Sequence, residues 1–218
     1  MQQYKCLALP GWLNDAEIMK GLMAQLDKAL ASVIKFEYLD PSYDVSKSIS
    51  QLPSHIQVPQ GAGSNLLKYL QETLYRWGDI HLDHSQDIAN LRAKIINDPT
   101  IVGVVGFSHG TLLVTELGQL AHTDQELKKR LKFFMAFSCH GIKAKKEIYS
   151  QKRLITIPTI QSLGTRDPLE LESLIQSSEF LNPVIIYTDS THRVPIFSFE
   201  QLKKIQKFVQ SALEQPKL

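Results

Sequence analysis

The feature that most constrains the fold of this chain is a serine between two glycines, at the point where a strand-like run meets a helix-like run. Residues 101–105, Ile-Val-Gly-Val-Val, predict a buried strand, and residues 112–120 predict an apolar helix. Between them, residues 106–110 read Gly-Phe-Ser-His-Gly. This pattern fits the nucleophile elbow, a turn so sharp that only glycine avoids collisions two positions before and after the serine. We therefore expect the Ser108 hydroxyl above the end of a sheet, at a helix N-terminus, where an acyl-transfer nucleophile would sit.

The rest of the chain alternates strand-like and helix-like patterns around this turn. Short apolar runs predict strands at 4–9, 33–39, 101–105, 133–138, 159–163 and 183–187. Apolar residues at helical spacing predict helices at 15–31, 65–77, about 88–96, 112–120 and 199–213. Such alternation favours right-handed crossovers, so we expect one α/β domain over 1–218, with about six mostly parallel strands and helices on both faces. Ligands of such sheets bind at the carboxyl ends of the strands.

A long connection, at about 41–80, precedes the helix that leads to the elbow strand. Its first part, 41–63, carries prolines and glycines among polar residues, and irregular connections of this length usually have a function. We expect the segment to frame an apolar pocket that sets acyl-chain preference. The alternative, favoured for the leucines after residue 65 and for Trp77, is the buried face of a helix. Candidate pocket residues are Leu13, Tyr43, Trp77, His140 and Val194.

A serine hydroxyl needs a histidine to accept its proton, and the histidine needs an acid to fix its tautomer. His192 lies just beyond the last predicted strand and leaves the sheet at the same edge as Ser108, so we predict that it is the base. Asp167, directly after the preceding strand, is the predicted acid by the same argument. Asp189 is the alternative, although it stands only three residues before His192 in one turn, and Glu170 is a weaker one. The order Ser, Asp, His along the chain is that of the α/β-hydrolases.

The other histidines fit the role of base less well. His109 follows the nucleophile directly and should point away from its hydroxyl, whereas His140 ends the neighbouring strand and is a candidate for lining the site. His81 and His84 have a spacing found in metal sites, but no Cys or Glu motif accompanies them, so a solvated helix start is predicted. Two more lie in polar surroundings and carry no signal: His55 and His122. We predict no metal and no cofactor.

The negative charge of a tetrahedral intermediate needs backbone N–H donors. In an elbow site these are the residue after the nucleophile and a residue of the loop after the first strand, here His109 and Trp12. The stretch from Leu9 to Trp12, Leu-Pro-Gly-Trp, is otherwise an ordinary strand-ending turn. Its agreement with the elbow favours the oxyanion interpretation.

Charge and cysteine content narrow the class of protein. The 24 basic and 22 acidic residues are interspersed and the net charge is +2, so we expect no nucleic-acid or membrane-surface partner. The two cysteines, Cys6 and Cys139, lie in apolar strand-like runs and predict reduced core residues. We expect no membrane span, no signal peptide and a cytoplasmic location. The last three residues, 216–218, match a peroxisomal address only loosely, as Pro-Lys-Leu.

Four stretches together resemble the FSH family of serine hydrolases: Cys-Leu-Ala-Leu-Pro-Gly-Trp-Leu-Asn at 6–14, the elbow, Gly-Thr-Arg-Asp at 164–167, and His-Arg-Val-Pro at 192–195. The resemblance covers nearly the whole chain and is weak between 41 and 80. It implies a small lidless α/β-hydrolase acting on esters and thioesters, with Ser108, Asp167 and His192 as the triad and the Gly-Trp turn as the oxyanion loop.

Two positions depart from the pattern of that family. Histidine is usual where this chain has Pro10, and glycines are usual where Ser190 and Thr191 precede His192. Neither departure removes a catalytic group. We therefore predict a serine hydrolase that cleaves small-molecule carboxylic esters or thioesters through an acyl-serine intermediate. The alternatives are a catalytically weak binding module on the same fold, for a ligand or a partner protein, and an acyltransferase.

Overall fold

The computed structural model describes residues 3–12, 14–44, 75–77, 83–139 and 153–214. Within these ranges, strands and helices alternate along the chain. The strands are β1 (Tyr4–Leu9), β2 (Ile34–Tyr38), β3 (Tyr43–Asp44), β4 (Tyr75–Arg76), β5 (Ile101–Phe107), β6 (Phe133–Phe137), β7 (Thr159–Gly164) and β8 (Val184–Thr188). The helices are α1 (Ala16–Leu30), α2 (Ser85–Asn97), α3 (Gly110–Leu120), α4 (Gln125–Arg130), α5 (Glu170–Ser177) and α6 (Phe199–Glu214).

The main sheet has six strands in the order β2-β1-β5-β6-β7-β8, and every neighbouring pair is parallel. Its interior strand β5 is buried over its whole length, as its Val-rich apolar sequence predicts for a parallel strand covered on both faces. Because all pairs are parallel, the carboxyl ends of the six strands share one edge of the sheet. The expected α/β sheet is therefore confirmed.

Alternate residues of the strands build one apolar layer on each face of the sheet. On one face the strands pack with α1 and α6, and the shared cluster includes Ala8, Met23, Val105, Met135 and Val209. On the other face they pack with α2 and α3, and that cluster includes Leu9, Ile95, Val104, Leu117 and Phe134. Full burial of a side chain of this size contributes about 1.5–3 kcal/mol, so these two layers dominate the stability of the domain.

Side-chain caps fix the starts of the two helices on the first face. Asp15 Oδ1 accepts the N–H of Ile18 at 2.7 Å and begins α1. At α6, Ser198 and Gln201 form a reciprocal capping box, in which each side-chain oxygen accepts the backbone N–H of the other residue. Both helices therefore begin at positions that their sequences specify.

The long connection differs from its prediction at its end. The helix predicted over 65–77 is wrong there, because Tyr75–Arg76 forms β4, which pairs antiparallel with Tyr43–Asp44 of β3. This pairing brings the two ends of the connection together. The part of the predicted helix over 65–74 lies outside the described residues.

Helices α4 and α5 were not predicted, and each lacks an apolar stripe that faces the core. α4 has six residues, of which Leu127 is buried. In α5 the usual pattern is reversed, because three apolar side chains are exposed and the buried ones are polar. The exposed residues are Leu171, Leu174 and Ile175, and the buried ones are Ser173, Gln176 and Ser177. Hydrophobic periodicity cannot find such helices.

Strand β8 forms one edge of the main sheet, and α6 covers part of its outer side. Gln201 Nε2 donates to the carbonyl of Tyr187 at 3.1 Å, and Lys204 Nζ donates to that of Ile185 at 3.4 Å. Side chains thus occupy two outward acceptors of the edge strand. None of the helices described combines the length and apolar character that crossing a bilayer requires.

Candidate active site

The turn between β5 and α3 has the strained geometry that its sequence predicts. Ser108 has φ = 49°, in the left-handed backbone region that residues other than glycine rarely adopt. Its N–H donates to the carbonyl of Phe137 at 3.1 Å, and its own carbonyl accepts from Thr111 N and Oγ1 at 2.9 and 2.6 Å. A Cβ on Gly106 would lie 2.5 Å from the carbonyl oxygen of Gly110. Only glycine fits there, so the two glycines of the motif permit the turn.

The structure brings Ser108, His192 and Asp167 into one chain of hydrogen bonds. Ser108 Oγ lies 2.7 Å from His192 Nε2. On the other side of the ring, His192 Nδ1 lies 3.0 and 2.9 Å from the two carboxylate oxygens of Asp167. Because a carboxylate can only accept, Nδ1 carries the proton and Nε2 is left as the acceptor that faces the serine. This order of contacts suits transfer of a proton away from the hydroxyl.

The loops that carry the acid and the histidine pack directly against each other. A Cβ on Gly164 would lie 2.4 Å from the carbonyl oxygen of Ser190, so the end of β7 touches the histidine loop. Arg166 N–H donates to that same carbonyl at 3.2 Å. Asp167 Oδ1 accepts the N–H of Leu169 at 2.9 Å, which orients the carboxylate. The Ser190 that departs from the family pattern is therefore part of this packing.

Of the two alternative acids, Asp189 faces away from the site. It pairs with Arg166, with Nε and Oδ1 2.6 Å apart, and both side chains are exposed. Glu170 begins α5 and is half-buried. The carboxylate that meets His192 is that of Asp167, whose side chain is 1% exposed.

The loop after β1 lies against the nucleophile. A Cβ on Gly11 would come within 3.1 Å of Ser108 Cβ, so its backbone passes close beside the serine. Asn14 N–H donates to the Gly11 carbonyl at 3.3 Å and closes the turn around Trp12. The carbonyl of Pro10 accepts the indole N–H of Trp77 at 3.0 Å. The structure thus places the predicted oxyanion loop beside the elbow.

Two histidines outside the triad, His84 and His109, contact each other behind the elbow. His109 Nε2 is 3.3 Å from His84 Nε2, and His84 Nδ1 is 2.7 Å from Glu116 Oε1 on α3. His84, which directly precedes α2, is buried, so the predicted solvated helix start is wrong for this residue. The ring of His109 is directed towards His84, as expected for a side chain that points away from the serine hydroxyl. His81 lies outside the described residues.

The sequence model of the serine hydrolase (FSH1) family matches residues 1–204 of this chain. The chain belongs to that family. The protein named Family of serine hydrolases 3 from Saccharomyces cerevisiae (strain S288c) is 31% identical over 93 residues, which are 40% of this chain and 34% of that protein. The matched stretch therefore spans about a third of that relative.

Solved structures similar to this FSH1-family chain are α/β-hydrolases. The Bacillus cereus carboxylesterase has a TM-score of 0.51 and 12% identity, with 96% of this chain and 89% of that chain covered. SOBER1 from Arabidopsis thaliana has a TM-score of 0.59 and 13% identity, with coverage of 98% and 100%. At such identities the likeness shows the fold. The FSH1-family chain thus has the expected α/β-hydrolase fold.

The structure describes the side chains of only some of the predicted pocket residues in this FSH1-family chain. Trp77 and Val194 are both buried and belong to the two core clusters. Tyr43 is described only as a backbone position of β3. Leu13 and His140 lie outside the described residues. A role for any of these residues in an acyl pocket stays a prediction.

Both cysteines of the FSH1-family chain are buried and free, as expected. Burial raises the pKa of the Cys139 thiol to about 12 and that of the Cys6 thiol well above its usual range. Cys139 follows β6 near the elbow, so this shift keeps a thiol close to Ser108 in its unreactive, protonated form. Across the described ranges, no three His, Cys, Asp or Glu side chains are grouped so that they could hold a metal ion.

Proposed function

We propose that this chain hydrolyses small-molecule carboxylic esters or thioesters through an acyl-serine intermediate. The observation that carries the proposal is the continuous contact from Asp167 through His192 to Ser108 at a strained strand-to-helix turn. Family membership supports the same reaction class. The Bacillus cereus relative of the same fold is named a carboxylesterase, which favours acyl substrates.

In the first half of the reaction, His192 Nε2 takes the proton of Ser108 while Oγ attacks the substrate carbonyl carbon. The carbonyl oxygen becomes an oxyanion that the N–H groups of Trp12 and His109 would stabilise. His192 then gives its proton to the departing alkoxide or thiolate, and the acyl group remains on Oγ. In the second half, a water oxygen attacks the acyl carbon while His192 takes one of the water protons. His192 then returns that proton to Ser108 Oγ as the bond to the acyl carbon breaks and the carboxylic acid leaves.

Asp167 assists by its position and its charge. Its buried carboxylate holds the proton on Nδ1 of His192 and stabilises the imidazolium that forms during each half of the reaction. The N–H of Leu169 keeps this carboxylate oriented. His192 itself has a side chain that is 28% exposed, so its outer edge can be reached by substrate and by the deacylating water.

The test is covalent labelling of the full chain with a fluorophosphonate, followed by mass spectrometry of the peptide that contains Ser108. We expect a single adduct on Ser108 and none in Ser108→Ala, while Ser178→Ala, which removes an exposed hydroxyl, labels as the wild type does. A panel of p-nitrophenyl esters and acyl-CoA thioesters of increasing chain length then identifies the substrate class. An unlabelled Ser108 together with no hydrolysis would indicate a binding module on this fold instead.

A further inference from the structure

The two predicted oxyanion donors lie on different loops, yet both loops contact the same part of the chain. The loop that carries Trp12 bonds to Trp77, and the elbow that carries His109 bonds to His84. Trp77 and His84 are only seven positions apart, where the long connection returns to α2. Neither residue takes part in the hydrogen bonds among Ser108, His192 and Asp167.

The first contact acts on the loop after β1. The indole N–H of Trp77 donates to the carbonyl of Pro10, two residues before the Trp12 donor. That carbonyl also faces the elbow, because a Cβ on Gly110 would lie 2.8 Å from it. Trp77 is 3% exposed, so its hydrogen bond is shielded from water and holds the peptide in one orientation.

The second contact acts on the elbow. Because the Glu116 carboxylate only accepts, His84 Nδ1 carries the proton of that hydrogen bond. Nε2 of His84 and Nε2 of His109 lie 3.3 Å apart, so a proton on one of them hydrogen-bonds the two rings. This chain fixes the ring of His109 on the side away from Ser108, and with it the peptide whose N–H begins the elbow helix.

We propose that Trp77 and His84 are positioning residues for the oxyanion hole, each aligning one of its two backbone donors. This inference rests on the proposed acyl-serine reaction. Oxyanion donors act only within about 2.7–3.1 Å of the developing charge, and small displacements cost rate because they weaken binding of the transition state alone. An apolar side chain could fill either buried position, but it could not donate to Pro10 or connect His109 to Glu116.

The test uses variants that remove a hydrogen bond and keep the packing. Trp77→Phe loses the indole donor, and His84→Leu loses both of its contacts. For each variant we expect kcat to fall roughly tenfold or more, with KM within about twofold of the wild-type value, because the donors act on the transition state. His84→Gln keeps one donor and one acceptor and should restore most of the lost rate. His122→Leu, in the turn just after α3, is the matched control and should leave kcat unchanged.

A transition-state analogue separates positioning from a general loss of structure. An alkyl trifluoromethyl ketone adds Ser108 Oγ to its carbonyl carbon, passes the serine proton to His192 and leaves an oxyanion, whereas the matching methyl ketone stays a ground-state mimic. We expect the inhibition constant of the trifluoromethyl ketone to rise in Trp77→Phe and His84→Leu by the same factor as kcat/KM falls. The inhibition constant of the methyl ketone should stay the same.

Two results would overturn the inference. One is unchanged kcat in both variants, and the other is a loss that appears equally in the affinity for both ketones. If one variant does not fold, as judged by circular dichroism, the other decides the question together with His84→Gln. Failure of the proposed reaction itself looks different, since wild-type Ser108 would then stay unlabelled by fluorophosphonate and no variant would have a rate to lose.

Discussion

Two chains of hydrogen bonds meet at the elbow, one on each side of the backbone. Each of them runs from a carboxylate to a histidine. One runs from Asp167 through His192 to the hydroxyl of Ser108. The other runs from Glu116 through His84 to the ring of the next residue, His109. Both use Nδ1 towards the carboxylate and Nε2 towards the elbow. The first chain of hydrogen bonds ends on a serine hydroxyl, and the second ends on an imidazole ring. They also differ in whether the acid or the histidine is buried.

In the triad the acid is buried and the histidine is partly exposed, with side-chain exposures of 1% and 28%. In the second chain the order is reversed, with the histidine at 3% and the glutamate at 30%. A partly exposed imidazole can exchange protons with substrate and water, whereas a buried one between fixed partners can only hold a position. Under the two proposals above, the same pair of side-chain types serves reaction on one side of the elbow and alignment on the other.

The largest expected difference comes from changing the last member of each chain. Ser108→Ala should lower kcat by about 10⁶-fold, because the nucleophile is lost while the fold remains. His109→Gln keeps the backbone N–H and a side-chain donor, so a loss of roughly tenfold is expected. Steady-state hydrolysis of a p-nitrophenyl ester by each purified variant measures both. Equal losses would mean that the second chain takes part in the reaction.

Changing the two acids should give the next largest contrast. Asp167→Asn should cost about 10⁴-fold in kcat, as the same change does in a serine protease, because the amide favours the wrong histidine tautomer. Glu116→Gln keeps an acceptor for His84, and only the charge of that hydrogen bond is lost, so no more than about fivefold is expected. Asp189→Asn is the surface control. A large effect of Asp189→Asn would transfer the role of acid to that residue.

The pH dependence of kcat/KM should reflect the hydrogen-bonded chain from Asp167 through His192 to Ser108 and not the one through His84. Hydrolysis requires a neutral His192, so kcat/KM should rise with pH, about tenfold per unit at the acid end, and then level off. His84→Leu should lower the plateau and leave the midpoint where it is. A midpoint that moves in His84→Leu would show that the second chain is coupled to proton transfer.

The smallest expected effect concerns the thiol beside the elbow. Burial raises the pKa of Cys139 to about 12, so below that pH the protonated thiol dominates and the reactive thiolate is scarce. Treatment with N-ethylmaleimide at pH 7.5 should leave the rate of hydrolysis within error of the untreated enzyme. Mass spectrometry should find Cys139 unmodified while the protein is folded. Inactivation that tracks modification of Cys139 would show that the end of β6 opens during turnover.

The contacts of the triad were predictable from sequence because each follows from local rules. The Gly-x-Ser-x-Gly spacing specifies the turn, and parallel strands deliver the residues after 164 and 188 to the same edge of the sheet. The second chain was not predictable in this way. His84 directly precedes α2 and Glu116 lies on α3, so no local pattern relates them. Polar neighbours in the sequence predicted a solvated His84, although tertiary packing buries it.

Trp77 shows a similar limit of sequence patterns. Its spacing from the preceding leucines predicted the buried face of a helix, and burial is correct. The local structure is different, because Tyr75–Arg76 is held as a strand by its pairing with Tyr43–Asp44. Non-local pairing overrode helical periodicity, and no spacing within the segment encodes the partner strand.

The cover that α6 places on β8 has a consequence for behaviour at high concentration. An uncovered edge strand can pair with a strand of another molecule, and such edge-to-edge pairing leads to aggregation. Gln201 and Lys204 already occupy the outward carbonyls of Tyr187 and Ile185. Growth of the sheet from this edge would have to break two side-chain contacts and bring a lysine up to the incoming strand. Helix α6 thus also hinders the addition of a foreign strand at this edge of the sheet.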